Sequence, residues 1–149
     1  MNLSSPAFTN NGHVPPIYSC RSQGISPPLT FDDVPDGTKS LALTVDDPDA
    51  PKGDFVHWVV WNIPAGASGL SANVEAVSTL SDGTRQGKNG AGATGYHSLC
   101  PPSGTHHYYF RIYALDIKLS LPDTTTMADL LSAMKGHVLA QGELVGLFP

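Results

Sequence analysis

The sequence predicts a mainly β domain, and three observations support this prediction. The chain of 149 residues contains 15 glycines and 13 prolines, spread along it without a repeat. Such a distribution is typical of many turns between short strands. Several segments show strand patterns, whereas only one segment, near the end, shows a helical pattern. Many strands with one late helix indicate a mainly β domain.

Three segments carry the strongest strand signals. From Ser40 to Asp46, apolar and small or polar residues alternate, which predicts a half-buried strand. The segment from His57 to Ile63 is β-branched and aromatic, which predicts a strand buried on both faces. The third strand is expected from His107 to Leu115. We expect shorter strands around two further segments, Leu29 to Phe31 and Val74 to Thr79.

The helical segment begins at Thr126, which forms a capping-box pattern with Asp129, and it ends before Gly136. Its apolar residues are expected on one face: Met127, Leu130, Leu131 and Met134. The tail from Val138 to Leu147 is predicted to form a final strand.

The length and the charge of the chain exclude some classes of protein. We read residues 1–149 as one domain, since no repeat or linker interrupts the chain. A net charge of −5 with only 8 basic residues argues against nucleic-acid binding, which needs clustered Lys and Arg. No stretch approaches the roughly 20 apolar residues of a membrane-spanning helix. The first residues show no signal-peptide pattern, so we expect a cytoplasmic protein, although a mature chain without its leader would read the same.

The two cysteines, Cys20 and Cys100, match no zinc-binding spacing. Two separate thiols are the favoured interpretation, and their pairing is left open.

Ionisable side chains lie at the ends of all three main strands. Asp46 and Asp47 end the first strand, His57 begins the second, and His106 and His107 begin the third. Groups at neighbouring strand ends of one sheet can converge on one site. Four interpretations stay open on spacing alone: a structural role, anion binding by imidazolium groups, a metal site, or acid–base catalysis.

Four motifs follow one another along the chain, at residues 47–51 (DPDAP), 57–64 (HWVVWNIP), 95–96 (GY) and 101–108 (PPSGTHHY). Together they resemble the phosphatidylethanolamine-binding protein family, above all its bacterial, Raf-kinase-inhibitor-like branch. The resemblance covers nearly the whole chain in the family's order.

The resemblance implies a β-sandwich of antiparallel sheets with one or two short helices and a small surface pocket. That pocket would bind phosphate, phosphorylethanolamine-like head groups or carboxylates, with no metal and no cofactor. The matching ligand-binding residues are Asp47, His57, His106, Tyr108, Pro101 and Pro102. The imidazoles and the phenol would donate hydrogen bonds to an oxyanion, while Asp47 would orient one imidazole.

Some residues near these motifs are not expected in the pocket. Strand alternation should turn His107 away from it, and Asp49 is expected to bond loop amides. His13 and His97 are read as loop residues, and the resemblance suggests a cis Ala50–Pro51 bond.

We therefore predict a non-enzymatic ligand-binding protein without catalytic residues, which modulates or inhibits a partner kinase or protease. Its ligand would be a small anion or a phospholipid head group, and the chain would be a monomer or a homodimer. The alternative is a hydrolase or phosphatase-like enzyme that uses His57 and His106 around Asp47, although no motif supplies a serine or cysteine nucleophile. A third interpretation is an interaction scaffold that no longer uses its pocket.

Overall fold

A computed structural model describes all residues, 1–149, and consists of nine strands, one α-helix and a short 3-10 helix at Pro16–Tyr18. The long strands are β4 (Ser40–Asp47), β5 (Phe55–Pro64), β8 (His106–Leu115) and β9 (Val138–Phe148). The short strands are β1 (Asn2–Ser4), β2 (Gly12–His13), β3 (Leu29–Asp32), β6 (Gly69–Leu70) and β7 (Arg85–Gln86). The helix α1 spans Met127–Met134.

The strands form two sheets, which confirms the predicted fold class. The larger sheet has six strands in the order β2-β9-β8-β4-β5-β7, and the smaller has three in the order β1-β3-β6. Neighbouring strands are antiparallel except β2 and β9, which are parallel. The three main strands β8, β4 and β5 therefore lie side by side, with β4 at the centre. Their ends that carry the ionisable residues lie at the same end of the sheet.

Both faces of the larger sheet are covered. One face packs against the smaller sheet, where Leu43, Val45 and Phe110 share a core with Leu3 and Phe31. A second core on the other face contains α1 and its neighbours: Ala42, Val59, Trp61, Tyr113, Leu115, Leu119, Leu130 and Met134. Consequently every residue of β4 is buried, and the prediction that this strand is half-buried is wrong.

The helix α1 begins at a capping box, in which the Thr126 side chain accepts from the Asp129 amide and the Asp129 carboxylate accepts from the Thr126 amide. Leu130 and Met134 are buried as predicted, but Leu131 is exposed. Leu131 directly follows Leu130, and successive helical residues lie on different faces. The predicted final strand is confirmed as β9.

Three further predictions are wrong. Residues 74–79 form no strand, and only Thr79 makes an isolated bridge, to Arg85. The cis peptide bond of the chain is Phe148–Pro149, so Ala50–Pro51 is trans. Cys20 and Cys100 form a disulfide rather than two separate thiols.

No helix of the structure is both long enough and apolar enough to cross a membrane.

Candidate functional site

The candidate site lies where β4 ends and β8 begins. Asp46 at the end of β4 pairs with Tyr109 of β8, so Asp47 and His106 emerge next to one another. His106 Nδ1 lies 2.6 Å from Asp47 Oδ2, and both side chains are almost completely buried. Two residues further along β8, Tyr108 lies on the same face of the sheet, because side chains on a strand repeat every second residue.

A β-bulge in β5 brings His57 to this face. Val45 pairs with Trp58 and Asp46 pairs with Val56, which leaves His57 as an extra residue. Regular alternation would point Val56 and Trp58 to the same face, but the bulge sends Val56 to the helix side and Trp58 to the opposite core. The His57 ring then packs edge-on against Tyr108, with ring centroids 5.3 Å apart.

These side chains line a surface cavity of about 520 Å³. Five of the six residues predicted for ligand binding contribute to its wall: Asp47, His57, Pro102, His106 and Tyr108. The sixth, Pro101, does not line the cavity, although it directly precedes Pro102, which does. The remaining wall comes from Ala50, Pro51, Lys52, Gly53, Asp54, Phe55, Ala91, His97 and Cys100.

Asp47 acts within the protein as an orienting group. Its Oδ2 is paired with His106, and its Oδ1 accepts a hydrogen bond of 2.9 Å from the Asp49 amide. Because Asp47 occupies His106 Nδ1, the Nε2 atom of the same ring is left for another partner. A protonated His106 can donate from Nε2 to an anion, whereas a neutral ring with its proton on Nδ1 presents a lone pair there.

His107 and Asp49 form a second pair on the outer surface. The His107 amide and Nδ1 lie 2.8 Å and 2.6 Å from Asp49 Oδ2. These hydrogen bonds from His107 lower the pKa of Asp49. As predicted, His107 points away from the cavity, but Asp49 accepts from the amide and ring of a β8 residue rather than from the loop amides that were expected.

His57 differs from the expected cationic donor. Burial lowers the pKa of His57 to about 4, and the opposing effects of its hydrogen bond and of the Asp47 and Asp54 charges are smaller. Its Nδ1 lies 2.7 Å from the His97 carbonyl oxygen, which can only accept, so Nδ1 carries the proton. At neutral pH the Nε2 of His57 is therefore an acceptor, and the expectation that this ring donates to an oxyanion is corrected.

Tyr108 retains an unused hydrogen-bonding group. Its side chain is fully buried, and its hydroxyl has no hydrogen-bond partner in the protein. Burial, together with the charges of Asp47 and Asp49, raises the pKa of Tyr108, so the phenol keeps its proton. A buried hydroxyl without a partner costs about 1–3 kcal/mol, which a ligand acceptor would recover.

The charges at the cavity are mixed. Asp47, Asp54 and Lys52 all contribute to its wall. Asp46 is a neighbour of Asp54. Burial and the neighbouring Asp54 raise the pKa of Asp46 to about 7. The charge of Arg111, whose Nη1 lies 3.1 Å from Asp46 Oδ1, acts in the opposite direction. The cavity thus combines carboxylates with one lysine and a neutral His57, and it is not a purely cationic anion pocket.

Two aromatic wall residues, His97 and Phe55, were not predicted for the site. The His97 ring packs edge-on against Phe55 and His57, with centroids 5.0 Å and 5.4 Å apart. His97 matches none of the family's motifs, so the sequence alone predicts only a loop residue there. Phe55 begins β5 opposite Asp47, so the pairing of β4 with β5 places it at the cavity.

The glycine-rich segment, residues 87–95, is not a free loop. The Gly90 amide donates to the Val56 carbonyl at 2.8 Å, which holds the segment along β5. A Cβ atom at Gly90 would lie 2.7 Å from the Phe55 ring, so this close approach requires glycine. The contact brings the neighbouring Ala91 to the cavity wall.

The family model described as phosphatidylethanolamine-binding protein matches residues 4–149. A UPF0098 protein of Methanothermobacter thermautotrophicus is 49% identical over 148 residues, and the match covers 99% of this chain and 98% of that protein. A UPF0098 protein of Chlamydia muridarum is 43% identical over 153 residues, covering 99% of this chain and 98% of its own.

Two crystal structures are also similar. CT736 of Chlamydia trachomatis, described as a phosphatidylethanolamine-binding protein homologue, superposes with a TM-score of 0.92 at 42% identity. YbcL of E. coli, described as a new member of the mammalian family of these proteins, superposes with a TM-score of 0.90 at 30% identity. Each comparison covers 99% of this chain and 96% of the other. The fold and the cavity thus define a β-sandwich with a His- and Asp-lined pocket, and the chain belongs to the phosphatidylethanolamine-binding protein family.

Proposed function

We propose that this protein binds a small molecule or lipid head group that carries a phosphate or carboxylate, and that it does not turn its ligand over. The observation that carries the proposal is Tyr108, which lines the cavity and whose buried hydroxyl has no partner in the protein. A ligand oxyanion would accept its hydrogen bond, with His106 Nε2 and the Lys52 ammonium as further donors.

The charges favour a ligand that carries a cation beside its anionic group. Asp47 and Asp54 would repel an isolated dianion, and His57 supplies a lone pair rather than a positive charge. A phosphorylethanolamine-like head group brings an ammonium that can donate to His57 Nε2 or a carboxylate, together with a phosphate that can accept from Tyr108. We therefore expect it to bind more tightly than inorganic phosphate.

The absence of turnover is supported by the chemistry of the cavity wall. Its residues include no serine and no threonine, and the sulfur of Cys100 is bonded to Cys20. A covalent mechanism would therefore lack a serine, threonine or cysteine nucleophile. The hydrolase alternative would have to use water activated by His57 or His106, or an imidazole or carboxylate of the wall as its nucleophile. Inhibition of a partner kinase or protease stays a prediction, as do the homodimer and the cytoplasmic location.

The test is calorimetric titration at pH 7 with O-phosphorylethanolamine, inorganic phosphate and ethanolamine. We expect one site per chain, with O-phosphorylethanolamine the tightest of the three. Tyr108→Phe should weaken binding about tenfold or more, since it removes a hydrogen bond to a charged group. His137→Gln is the matched control, because His137 pairs with Asp116 away from the cavity. This variant should bind the ligand as the wild type does.

Phosphorus NMR of the same mixtures tests the second half of the proposal. The phosphomonoester should stay intact through a long incubation. Steady release of phosphate that disappears in His106→Ala would replace the binding function with the hydrolase alternative.

A further inference from the structure

The Cys20–Cys100 disulfide forms part of the cavity rim. It joins residues 80 positions apart, and their Cα atoms lie 5.3 Å from one another. Cys100 lines the cavity, and both cysteines are exposed to solvent. Exposed disulfides are more accessible to thiols than buried structural ones, and they are the more labile class.

The segment that ends at this disulfide also holds His57. The His97 amide donates to the His57 carbonyl oxygen at 2.8 Å, and His57 Nδ1 donates to the His97 carbonyl oxygen at 2.7 Å. This double contact fixes the ring orientation of His57 and places the single proton of the neutral ring on Nδ1. The position of residues 97–102, hereafter the rim segment, therefore affects both the cavity wall and the donor pattern inside it.

Other contacts hold only the first half of the rim segment. Leu99 is fully buried, and its amide donates to the Tyr18 carbonyl oxygen at 3.3 Å. The Leu99 carbonyl oxygen accepts from the Cys20 amide at 3.0 Å. Beyond Leu99, Cys100 and Pro102 are exposed, and the disulfide is the strong connection between this end and the body of the protein.

We propose that the Cys20–Cys100 disulfide is a redox control on the cavity, so that its reduction loosens the rim segment and weakens ligand binding. The effect on affinity rests on the proposed function, whereas the loosening of the rim does not. The buried side chain of Leu99 keeps the segment against the protein when the bond is broken, while its backbone hydrogen bonds open more often, so the change is local and reversible rather than global unfolding.

The chemistry is thiol–disulfide exchange with a cellular thiol such as glutathione or a protein dithiol. A thiolate attacks one sulfur of the disulfide, and the other sulfur leaves as a thiolate that takes up a proton. A second thiolate then attacks the mixed disulfide. The protein gains two thiols, and the reductant leaves as its own disulfide, so two electrons and two protons are transferred in balance.

The coupling between the disulfide and the ligand must be reciprocal. If reduction weakens binding by some factor, then bound ligand must make the disulfide harder to reduce by the same factor. A loosened rim that is correctly placed for only part of the time lowers apparent affinity in proportion to that fraction. We expect a loss of about threefold to tenfold.

The experiment compares oxidised protein with protein reduced by tris(2-carboxyethyl)phosphine, with mass spectrometry to confirm the gain of two hydrogens. Calorimetry with O-phosphorylethanolamine should show the weaker binding after reduction, and it should recover on reoxidation. Amide hydrogen exchange at residues 97–100 should become about tenfold faster or more, while the strands β4 and β8 keep their protection. The double variant Cys20→Ser, Cys100→Ser should behave like the reduced protein and should not respond to reductant.

The outcomes separate this proposal from the proposed function. Unchanged affinity and unchanged exchange at residues 97–100 after reduction would overturn the redox control. If O-phosphorylethanolamine binds neither form, the proposed ligand class fails, and exchange alone decides whether the disulfide controls the rim. A loss of affinity in the double variant without any loss in the reduced wild type would also overturn the proposal, since it would be an effect of serine.

Discussion

His57 gives the folded protein a pH dependence that can be calculated from its burial. The pKa of His57 is about 4 in the folded protein and 6.5 as the ordinary value, so the unfolded chain takes up this proton first as the pH falls. The stability that this histidine contributes is complete above pH 6.5 and is lost as the pH falls towards 4. The full difference corresponds to about 3 kcal/mol, of which about 2 kcal/mol is lost between pH 7 and pH 4.5.

The perturbation is His57→Asn, whose amide can still donate to the His97 carbonyl oxygen but cannot titrate. Urea unfolding of both proteins at several pH values gives the free energy of unfolding. Asp46, whose raised pKa of about 7 favours the folded state as the pH falls, acts in the opposite direction but is present in both proteins. The difference between the two proteins therefore isolates His57.

We expect the wild type to lose about 2 kcal/mol relative to His57→Asn between pH 7 and pH 4.5. Parallel pH profiles for the two proteins would refute the reasoning, because they would mean that His57 is protonated as readily in the folded as in the unfolded chain. In that case the ring would be able to carry a positive charge in the cavity.

Three further predictions concern stability. Tyr108→Phe should leave the free energy of unfolding unchanged or raise it by about 1 kcal/mol in a urea titration, since the lost hydroxyl has no partner; a loss above that size would reveal a hydrogen bond. Gln86→Leu should cost about 2–4 kcal/mol in the same titration, because the fully buried Gln86 side chain accepts from Trp58 Nε1 and donates to two backbone carbonyls; a neutral result would contradict this. Reduction of the Cys20–Cys100 bond should lower the free energy of unfolding by about 4 kcal/mol, since the intact bond closes a long loop; an unchanged thermal midpoint after reduction would contradict this stabilising effect of the bond.

Much of the fold could be predicted because the long strands carry local signals. Apolar alternation marks Ser40 to Asp46, and β-branched and aromatic residues mark His57 to Ile63. The burial of β5 on both faces could be predicted, whereas that of β4 could not, since its second face is covered by the core that contains α1, which lies some 80 residues later in the chain.

The site shows the same division. Asp47 and His106 could be predicted to meet, because they lie at the adjoining ends of neighbouring strands. The protonation state of His57 could not, since it depends on burial and on a carbonyl from residue 97. Nor could the sequence decide whether Cys20 and Cys100 pair. They are brought together by the backbone hydrogen bonds of Leu99 with Tyr18 and Cys20. Such a bond is typical of oxidising compartments and of intracellular proteins from hyperthermophiles, so it gives no support to the predicted cytoplasmic location.

The most direct test of the account follows the histidine rings while ligand is added. Nitrogen-15 NMR of the side chains at pH 7, titrated with O-phosphorylethanolamine, reports on each ring separately. We predict saturable shifts for His57, His97 and His106, with the His57 Nε2 signal that of an unprotonated nitrogen before ligand is added. His13 and His137, which do not line the cavity, should not shift. Shifts confined to His13 or His137, or no saturable shift at any ring, would contradict the assignment of this cavity as the ligand site.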